Sequence, residues 1–366
     1  MLQKVLVLVL VLAGIAGCIG CSTSSHYVYA TVPNANQLAA FREDPFSGSL
    51  IELSGSPYTV GDGANSVVLH PSGKFLYVAN PGQGENDISL FSIQGNGTLI
   101  EVPPRTPVTP LGSVPQRLLM DPAGAFLYVA NALSNNISIF AIDSSTGALT
   151  QAPGSPVSTV QTPLNMVLNP AGNLLFVSFA SQPLGFIETF SVNAGTLQLL
   201  SPLTSSTGVN PSGLAVDPSG TYLYVANTQS NAIAIFTIGA SGTPAGSLTP
   251  IQGSPLANTY LDPAFLLIDP KGQNLYVANQ GSNNVAVYTL NASGLPVALT
   301  TSTSTFAFTT ISAPSVLALD PNGGYLFVGN VGSSAAIQAF GVNSGNLNPL
   351  RTYRVGNSAS SIVVTK

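Results

Sequence analysis

The chain contains few side chains that could do chemistry. Of its 366 residues only 6% are Asp, Glu, Lys or Arg, and it has two His, two Cys and no Trp. Two charged residues, Arg117 and Glu188, stand out because each interrupts a pattern of apolar or small residues. The sequence has no Gly-x-Ser-x-Gly elbow, phosphate-binding Gly-rich loop, His-Glu-x-x-His motif or EF-hand loop. It therefore predicts neither a cofactor nor a metal site.

Arg117 is the sharper candidate for catalysis. It lies in a strand whose corresponding positions elsewhere in the chain are Ser66, Asn165, Gly213, Phe265, Val316 and Ser361. A guanidinium offers forked donors that suit a carboxylate or a lactone oxygen, and Asn165 at the equivalent point could add a hydrogen bond. We predict a catalytic role for Arg117 and a ligand-binding role for Asn165. The alternative for Arg117 is a salt bridge or a position at the surface.

Glu188 is the candidate general base. The corresponding positions hold the uncharged residues Ser89, Ser138, Ala234, Ala286 and Gln338. A carboxylate among such side chains needs a partner or has a raised pKa. A position at the rim of an irregular sheet is the alternative. Glu85 and Asp87 follow a strand and could reach a ligand, although acidic residues in solvated loops are common.

These residues lie in a repeat that must position them. An aliphatic alternation, a turn of the type Asp-Pro-x-Gly and a strand resembling Leu-Tyr-Val-Ala-Asn recur six times. The turns begin at intervals of 48 to 52 residues, at His70, Asp121, Asn169, Asp217, Asp269 and Asp320. Each copy holds four short strand patterns, as in the residues from 211 to 250. Four antiparallel strands in about 50 residues are typical of one propeller blade.

A seventh blade is predicted from the two ends of the chain. Residues 26–53 resemble the second, third and fourth strands of a copy, and residues 359–364 resemble a first strand. We therefore predict an all-β, seven-bladed propeller over residues 26–366, in which the C-terminal strand completes the N-terminal blade. Closing the ring in this way removes exposed sheet edges.

The N-terminus resembles an export signal. Lys4 is followed by an apolar run that is too short to span a membrane, and Ile15-Ala16-Gly17-Cys18 resembles a bacterial lipobox. We expect a lipoprotein signal peptide over 1–17, an acylated Cys18 and a tether to residue 25. The absence of Asp after Cys18 favours the outer membrane or cell surface of the bacterial envelope. A redox or metal pair of Cys18 with Cys21 is the alternative.

Net charge limits the possible partners. Without residues 1–17 the chain has eight Lys and Arg against fourteen Asp and Glu, a net charge of −6. Nucleic acid is an unsuitable partner because phosphate binding needs a basic surface. We expect a monomer that contacts the membrane only through its lipid anchor, with a small molecule, a glycan or a protein as ligand.

With these motifs the sequence is similar to the seven-bladed propeller lactonases, which include 6-phosphogluconolactonases and carboxymuconate cyclases, and to YVTN-repeat propellers. The resemblance implies an enzyme with His, Arg and acidic side chains at the central channel. Neither His matches such a role: His70 occupies a turn position, and His26 is expected at the surface or in the tether. The sequence thus favours an envelope-anchored binding or scaffold propeller, with a lactone hydrolase or cyclase as the alternative.

Overall fold

The computed structural model describes residues 25–82, 84–108, 112–180, 184–239, 244–299, 307–332, 336–356 and 358–366, with 201–207 as backbone only. These residues form seven antiparallel sheets. The predicted signal peptide and Cys18 lie outside the described residues. No helix in the described part of the chain is long and apolar enough to cross a membrane.

Each sheet is one blade of the predicted propeller, with four strands in sequence order from the innermost outward except in blade 1. Blade 1 comprises Ser361–Val364, Tyr27–Val32, Gln37–Glu43 and Leu50–Glu52, with a short 3₁₀ helix at Pro33–Ala35. Blade 2 comprises Ser66–Leu69, Phe75–Asn80, Asp87–Ile93 and Leu99–Glu101, and blade 3 comprises Pro115–Met120, Phe126–Asn131, Asn136–Ile142 and Leu149–Gln151. Blade 4 comprises Pro163–Leu168, Leu174–Phe179, Gly185–Asn193 and Thr196–Gly208. Blade 5 comprises Pro211–Val216, Tyr222–Asn227, Ala232–Ile238 and Leu248–Pro250, and blade 6 comprises Pro263–Ile268, Asn274–Asn279, Asn284–Leu290 and Pro296–Ala298. Blade 7 comprises Pro314–Leu319, Tyr325–Asn330, Ala336–Asn343 and Asn346–Arg354.

Five blades carry a further short strand that the sequence did not predict. It pairs with the third strand beside the fourth, in blades 1, 2, 3, 5 and 6. These strands are Tyr58–Thr59, Thr106–Pro107, Val157–Ser158, Leu256–Ala257 and Ala307–Thr309. Segments of two or three residues are too short to show a period in sequence.

The ring closes as predicted. The C-terminal strand Ser361–Val364 pairs antiparallel with Tyr27–Val32, with Ile362 opposite Ala30. The innermost strands of the seven blades contact one another in order around the ring, and the C-terminal strand touches those of blades 7 and 2. The first and last segments of the propeller therefore share one sheet, and these innermost strands surround the central channel.

The core lies between the blades. The described residues form seven apolar clusters, one at each interface between neighbouring blades. The repeated tyrosine of the second strand is fully buried. In blades 1, 2 and 5 its hydroxyl donates to a carbonyl oxygen of the next blade, as Tyr77 does to Gly147 at 2.7 Å and Tyr29 does to Gly97 at 2.7 Å. The repeat motif is therefore a packing motif.

The repeated turn is held by its first side chain. In blade 3 the carboxylate of Asp121 accepts hydrogen bonds from the backbone N–H groups of Phe126 at 2.7 Å and Ala123 at 3.2 Å. Gly124 in this turn has φ +74°, a conformation in which side chains are disfavoured. In blade 2 His70 takes the same position: its Nδ1 accepts from the Ser72 N–H at 3.1 Å and its Nε2 donates to the Gly124 oxygen at 2.9 Å. The turn role predicted for His70 is confirmed.

Candidate functional site

The central channel is lined by innermost strands that are nearly free of charge. These seven strands, all within the described ranges, contain a single ionisable side chain, Arg117. Arg117 pairs with Ala130 of the second strand in blade 3, directly after a bulge at Pro115 and Gln116. The innermost strands therefore carry one positive charge, at a position that its sequence equivalents fill with uncharged side chains.

The equivalent side chains tie each blade to the next. Ser66 accepts a hydrogen bond from the N–H of Leu118 in blade 3 at 3.0 Å, and Ser361 accepts one from Val67 in blade 2 at 3.2 Å. The Cβ that Gly213 lacks would lie 3.1 Å from the carbonyl oxygen of Ala264 in blade 6. By the same register the Arg117 side chain leaves the backbone toward the innermost strand of blade 4.

Arg117 is not satisfied by the protein. Its Nε is buried without a hydrogen-bond partner, and the guanidinium forms no ion pair or hydrogen bond with any described residue. Burial lowers the pKa of this guanidinium from its ordinary value. Because an unpaired buried charge is costly, and because the residue as a whole stays partly accessible, Arg117 is suited to receive an anionic or carbonyl oxygen.

Asn165 is engaged within the protein. Its Nδ2 donates to the carbonyl oxygen of Ser212 in blade 5 at 2.8 Å, and its Oδ1 accepts from the N–H of Met166 at 2.9 Å. These bonds belong to the ring of contacts between blades. A role of Asn165 in ligand binding stays a prediction, for which it would use the remaining donor and acceptor capacity of its amide.

Glu188 is buried between blades 3 and 4. It lies opposite Val177 in the sheet and is 5% exposed, and its carboxylate accepts a hydrogen bond from the N–H of Val160. Burial raises the pKa of Glu188, while the Val160 bond lowers it by less. Its Oε2 has no hydrogen-bond partner among the described residues.

The repeat explains why the Oε2 atom of Glu188 lacks a hydrogen-bond partner among the described residues. In blade 2 the repeated Asn80 donates to Ser89, the residue equivalent to Glu188, at 3.0 Å. Blade 4 has Phe179 where the other copies have that asparagine, and Phe179 stacks on Phe186 with ring centroids 5.1 Å apart. The amide that would have met Glu188 is absent from this blade.

The structure does not join Arg117 and Glu188 into a pair. Both side chains lie on the faces of blades 3 and 4 that meet each other, but they form no ion pair, and neither charge contributes to the pKa shift of the other. Arg117 is on an innermost strand, whereas Glu188 is on a third strand, next to Val160 near the outer edge of blade 3. Their catalytic roles stay predictions, and any joint action requires a substrate between them.

Glu85 and Asp87 belong to a charged network in blade 2. Glu85 accepts a hydrogen bond from the N–H of Asp62 at 2.7 Å and pairs with Arg105 at 3.3 Å, and Arg105 also binds Glu101 at 2.8 Å. Asp87 accepts a hydrogen bond from Asn80 at 2.6 Å, while burial raises the pKa of Asp87. The network fixes Glu85 in its loop, whereas Asp87 begins the third strand and does not lie in the loop as expected. Ligand binding by Glu85 and Asp87 stays a prediction.

A second cluster of titratable side chains lies at the junction of blades 7 and 1. His26, Glu43 and Asp320 are 6%, 1% and 2% exposed, and one ligand atom from each lies within 4.8 Å of the others. Burial, with smaller contributions from the Asp320 and Asp44 carboxylates, raises the pKa of Glu43 to about 8. The expectation that His26 lies at the surface was wrong, because the ring closure places blade 7 against it.

A family model of known proteins matches most of this chain. The model described as "Lactonase, 7-bladed beta-propeller" matches residues 49–159, 151–259 and 254–364. The chain belongs to this lactonase propeller family. Relatives over shorter stretches are 6-phosphogluconolactonases from Formosa agariphila, 40% identical over 94 residues, and Bacillus subtilis, 31% identical over 143 residues. These stretches cover 25% and 37% of this chain and 26% and 38% of the relatives, so they span well under half of either protein.

Solved structures agree on the fold. The periplasmic gluconolactonase of Pseudomonas aeruginosa superposes with a TM-score of 0.73 at 18% identity, over 94% of this chain and 99% of that protein. A protein of Bacteroides fragilis superposes with a TM-score of 0.75 at 18% identity, over 94% and 99%. At such identities the likeness shows the propeller architecture alone.

Proposed function

We propose that this protein hydrolyses a lactone at its central channel, with Arg117 binding the carbonyl oxygen. Membership of the lactonase propeller family supports this reaction class over the binding or scaffold role that the sequence favoured. The observation that carries the site is the guanidinium of Arg117, which is the sole charge on the described innermost strands and has no partner there.

The chemistry assigned to Arg117 is electrostatic. In hydrolysis a water oxygen adds to the lactone carbonyl carbon, the carbonyl oxygen becomes negatively charged, and the ring C–O bond then breaks as the leaving oxygen takes up a proton. The product carboxylic acid ionises by releasing a proton to water. A guanidinium donates two parallel N–H bonds and stays protonated, so Arg117 stabilises first the oxyanion and then the carboxylate. Such preorganised donors are most effective where water is excluded.

The proposed substrate is an unphosphorylated lactone. Only eight Lys and Arg lie outside the proposed signal peptide, and Arg117 is the single cation on the innermost strands, so a phosphate group would have no second cation there. The fold neighbour from Pseudomonas aeruginosa is a periplasmic gluconolactonase, which makes gluconolactone the first substrate to assay.

A panel of lactones tests the reaction class. Purified protein is incubated with gluconolactone, its 6-phosphate and several unphosphorylated five- and six-membered lactones, and acid release above the spontaneous rate is followed with a pH indicator. We expect turnover of at least one unphosphorylated lactone and little of the phosphorylated one. Absence of turnover across the panel would remove hydrolysis and favour the second candidate, a module that binds a glycan, a peptide or a protein in the channel.

We also propose that Cys18 is acylated and anchors the propeller in the bacterial envelope. The support is the lipobox-like Ile15-Ala16-Gly17-Cys18 in the sequence. The protein is expressed in a bacterial host, and its processed N-terminus is identified by mass spectrometry after membrane fractionation. Cys18→Ser should move the protein out of the membrane fraction, whereas Cys21→Ser should leave it there. Equal behaviour of the two variants would exclude the anchor.

A further inference from the structure

The cluster of His26, Glu43 and Asp320 contains an acid where the fold calls for an aliphatic side chain. Glu43 is the last residue of a third strand, and its N–H donates to the His26 oxygen at 2.8 Å. The equivalent bond of every other blade starts from an aliphatic residue at this place: Ile93, Ile142, Val192, Ile238, Leu290 and Val342. Blade 1 is therefore the only blade with a charged residue at this position, which holds a core aliphatic side chain in the other six.

The carboxylate of Glu43 and the Nδ1 of His26 form no hydrogen bond with the described residues, and their contact with each other is at ion-pair distance. Both carboxylate oxygens of Glu43 and the Nδ1 of His26 are buried and have no hydrogen bond among the described residues. The Nδ1 lies 3.4 Å from Glu43 Oε2. Leaving such groups unsatisfied is costly, and a cation that accepts lone pairs from all of them would remove that cost.

Asp320 supplies the third group from the neighbouring blade. Its Oδ1 accepts a hydrogen bond from the Tyr325 N–H at 2.6 Å and its Oδ2 accepts one from the Asn322 N–H at 3.1 Å, as in the other turns. Each carboxylate oxygen can accept more than one bond. Asp320 therefore keeps capacity for a ligand while it holds its own turn.

The space and the ligand types suit a divalent transition-metal ion. One imidazole nitrogen and two carboxylates match the donors that bind Zn²⁺. Tetrahedral Zn²⁺ at its usual bond lengths places ligand atoms about 3.4 Å apart. The Nδ1 of His26 and the Oε2 of Glu43 are already at that distance, and because all three ligand atoms lie within 4.8 Å of one another, the other pairs need to approach by at most about 1.4 Å. The three residues line an open cavity of about 420 Å³, which gives access and room for a water ligand.

We propose that His26, Glu43 and Asp320 bind a divalent transition-metal ion of the Zn²⁺ class at the junction of blades 7 and 1. The ion links blade 1, through His26 and Glu43, to blade 7, through Asp320. It therefore stabilises the closed ring at the blade that the C-terminal strand completes. The site is distinct from Arg117 and does not depend on the lactonase proposal.

Binding is tested on the full chain without a polyhistidine tag, carrying Cys18→Ser and Cys21→Ser so that no thiol competes for metal. After treatment with EDTA, we expect one Zn²⁺ per chain by isothermal titration, and a visible absorption band when Co²⁺ is added instead. At Zn²⁺ about 100-fold above the dissociation constant, the unfolding temperature should rise by about 4 °C.

Two substitutions at Glu43 decide the outcome. Glu43→Gln should reduce Zn²⁺ affinity by at least 10-fold. Glu43→Ile restores the residue type of the other blades, so this variant should fold, be more stable than the parent in EDTA, and no longer respond to Zn²⁺. As controls, His70→Gln and Asp217→Asn change a histidine and an acid of equivalent turns and should leave binding unchanged. Failure of the parent to bind either metal at 1:1, or unchanged binding by Glu43→Ile, would overturn the proposal.

Discussion

Closure of the ring by the C-terminal strand can be tested with two disulfides that share one cysteine. Ala30 lies in the second strand of blade 1, opposite Ile362 on one side and opposite Ala39 on the other. All three side chains belong to the same apolar cluster. The pair Ala30→Cys with Ile362→Cys would lock the two ends of the propeller, whereas Ala30→Cys with Ala39→Cys would lock only a local hairpin.

The expected magnitudes follow from the lengths of the loops. The first disulfide closes a loop of about 330 residues and the second closes a loop of about 10, for which chain entropy gives about 6 and about 3 kcal/mol of stabilisation respectively. The difference of about 3 kcal/mol is the more useful quantity, since both bridges join residues that are direct neighbours in one sheet. Comparing each variant oxidised and reduced cancels the packing lost with Ile362.

The assay is guanidinium unfolding of both double variants, with Cys18→Ser and Cys21→Ser in each, before and after reduction. We expect both bridges to form spontaneously in air, and oxidation to raise the free energy of unfolding more for the bridge to residue 362. Failure of that bridge to form, while the local one forms, would refute the pairing of the two ends. Equal stabilisation by the two bridges would refute the entropic reasoning.

Two further predictions concern buried polar groups. Tyr77→Phe removes the hydrogen bond to Gly147 between blades and should lower the free energy of unfolding by about 1–2 kcal/mol. Tyr128→Phe should leave the free energy of unfolding unchanged, because the Tyr128 hydroxyl has no partner among the described residues. Equal losses of stability for the two variants in urea unfolding would contradict this prediction. Burial raises the pKa of Glu188 in the folded state, so its contribution to stability is largest below the unfolded pKa and is lost as pH rises through the folded pKa. Glu188→Gln should therefore be at least as stable as the parent at pH 7, and this difference in the free energy of unfolding should disappear toward pH 4. Glu52→Gln, a change at an exposed residue, should show the same pH dependence of stability as the parent. The same pH dependence in all three proteins would contradict a raised pKa of Glu188.

The sequence predicted the fold because its signals are local and repeated. The turn at Asp121 and Gly124 recurs with the same hydrogen bonds, and the buried tyrosine of the next strand recurs with it. Residues 359–364 share the pattern of an innermost strand, which was enough to predict the closure. What the sequence did not show is how neighbouring blades meet, because those contacts join residues about 50 or more positions apart, without a local period.

For the candidate sites too, the sequence showed which residues break the repeat but not which residues they contact. Arg117 and Glu188 were visible as exceptions to the repeat, but only the structure shows that they form no pair. His26 was misplaced because Asp320, which lies beside it in the structure, comes near it only through ring closure. Glu43 carried a readable signal, an acid at an aliphatic position of the third strand, which a comparison of the seven third strands would have found.

The central claim is that Arg117 stabilises negative charge on a lactone, and chemical rescue tests it most directly. The measurement is kcat/KM of Arg117→Ala on the best lactone of the panel, with and without about 50 mM guanidinium chloride, a concentration well below the molar range of denaturation. Removing a preorganised oxyanion donor should lower kcat about 100- to 1,000-fold, and guanidinium, but not sodium chloride, should restore part of the loss. Arg351→Ala, a change at an exposed arginine of blade 7, should leave turnover unchanged. Undiminished turnover by Arg117→Ala would contradict the account.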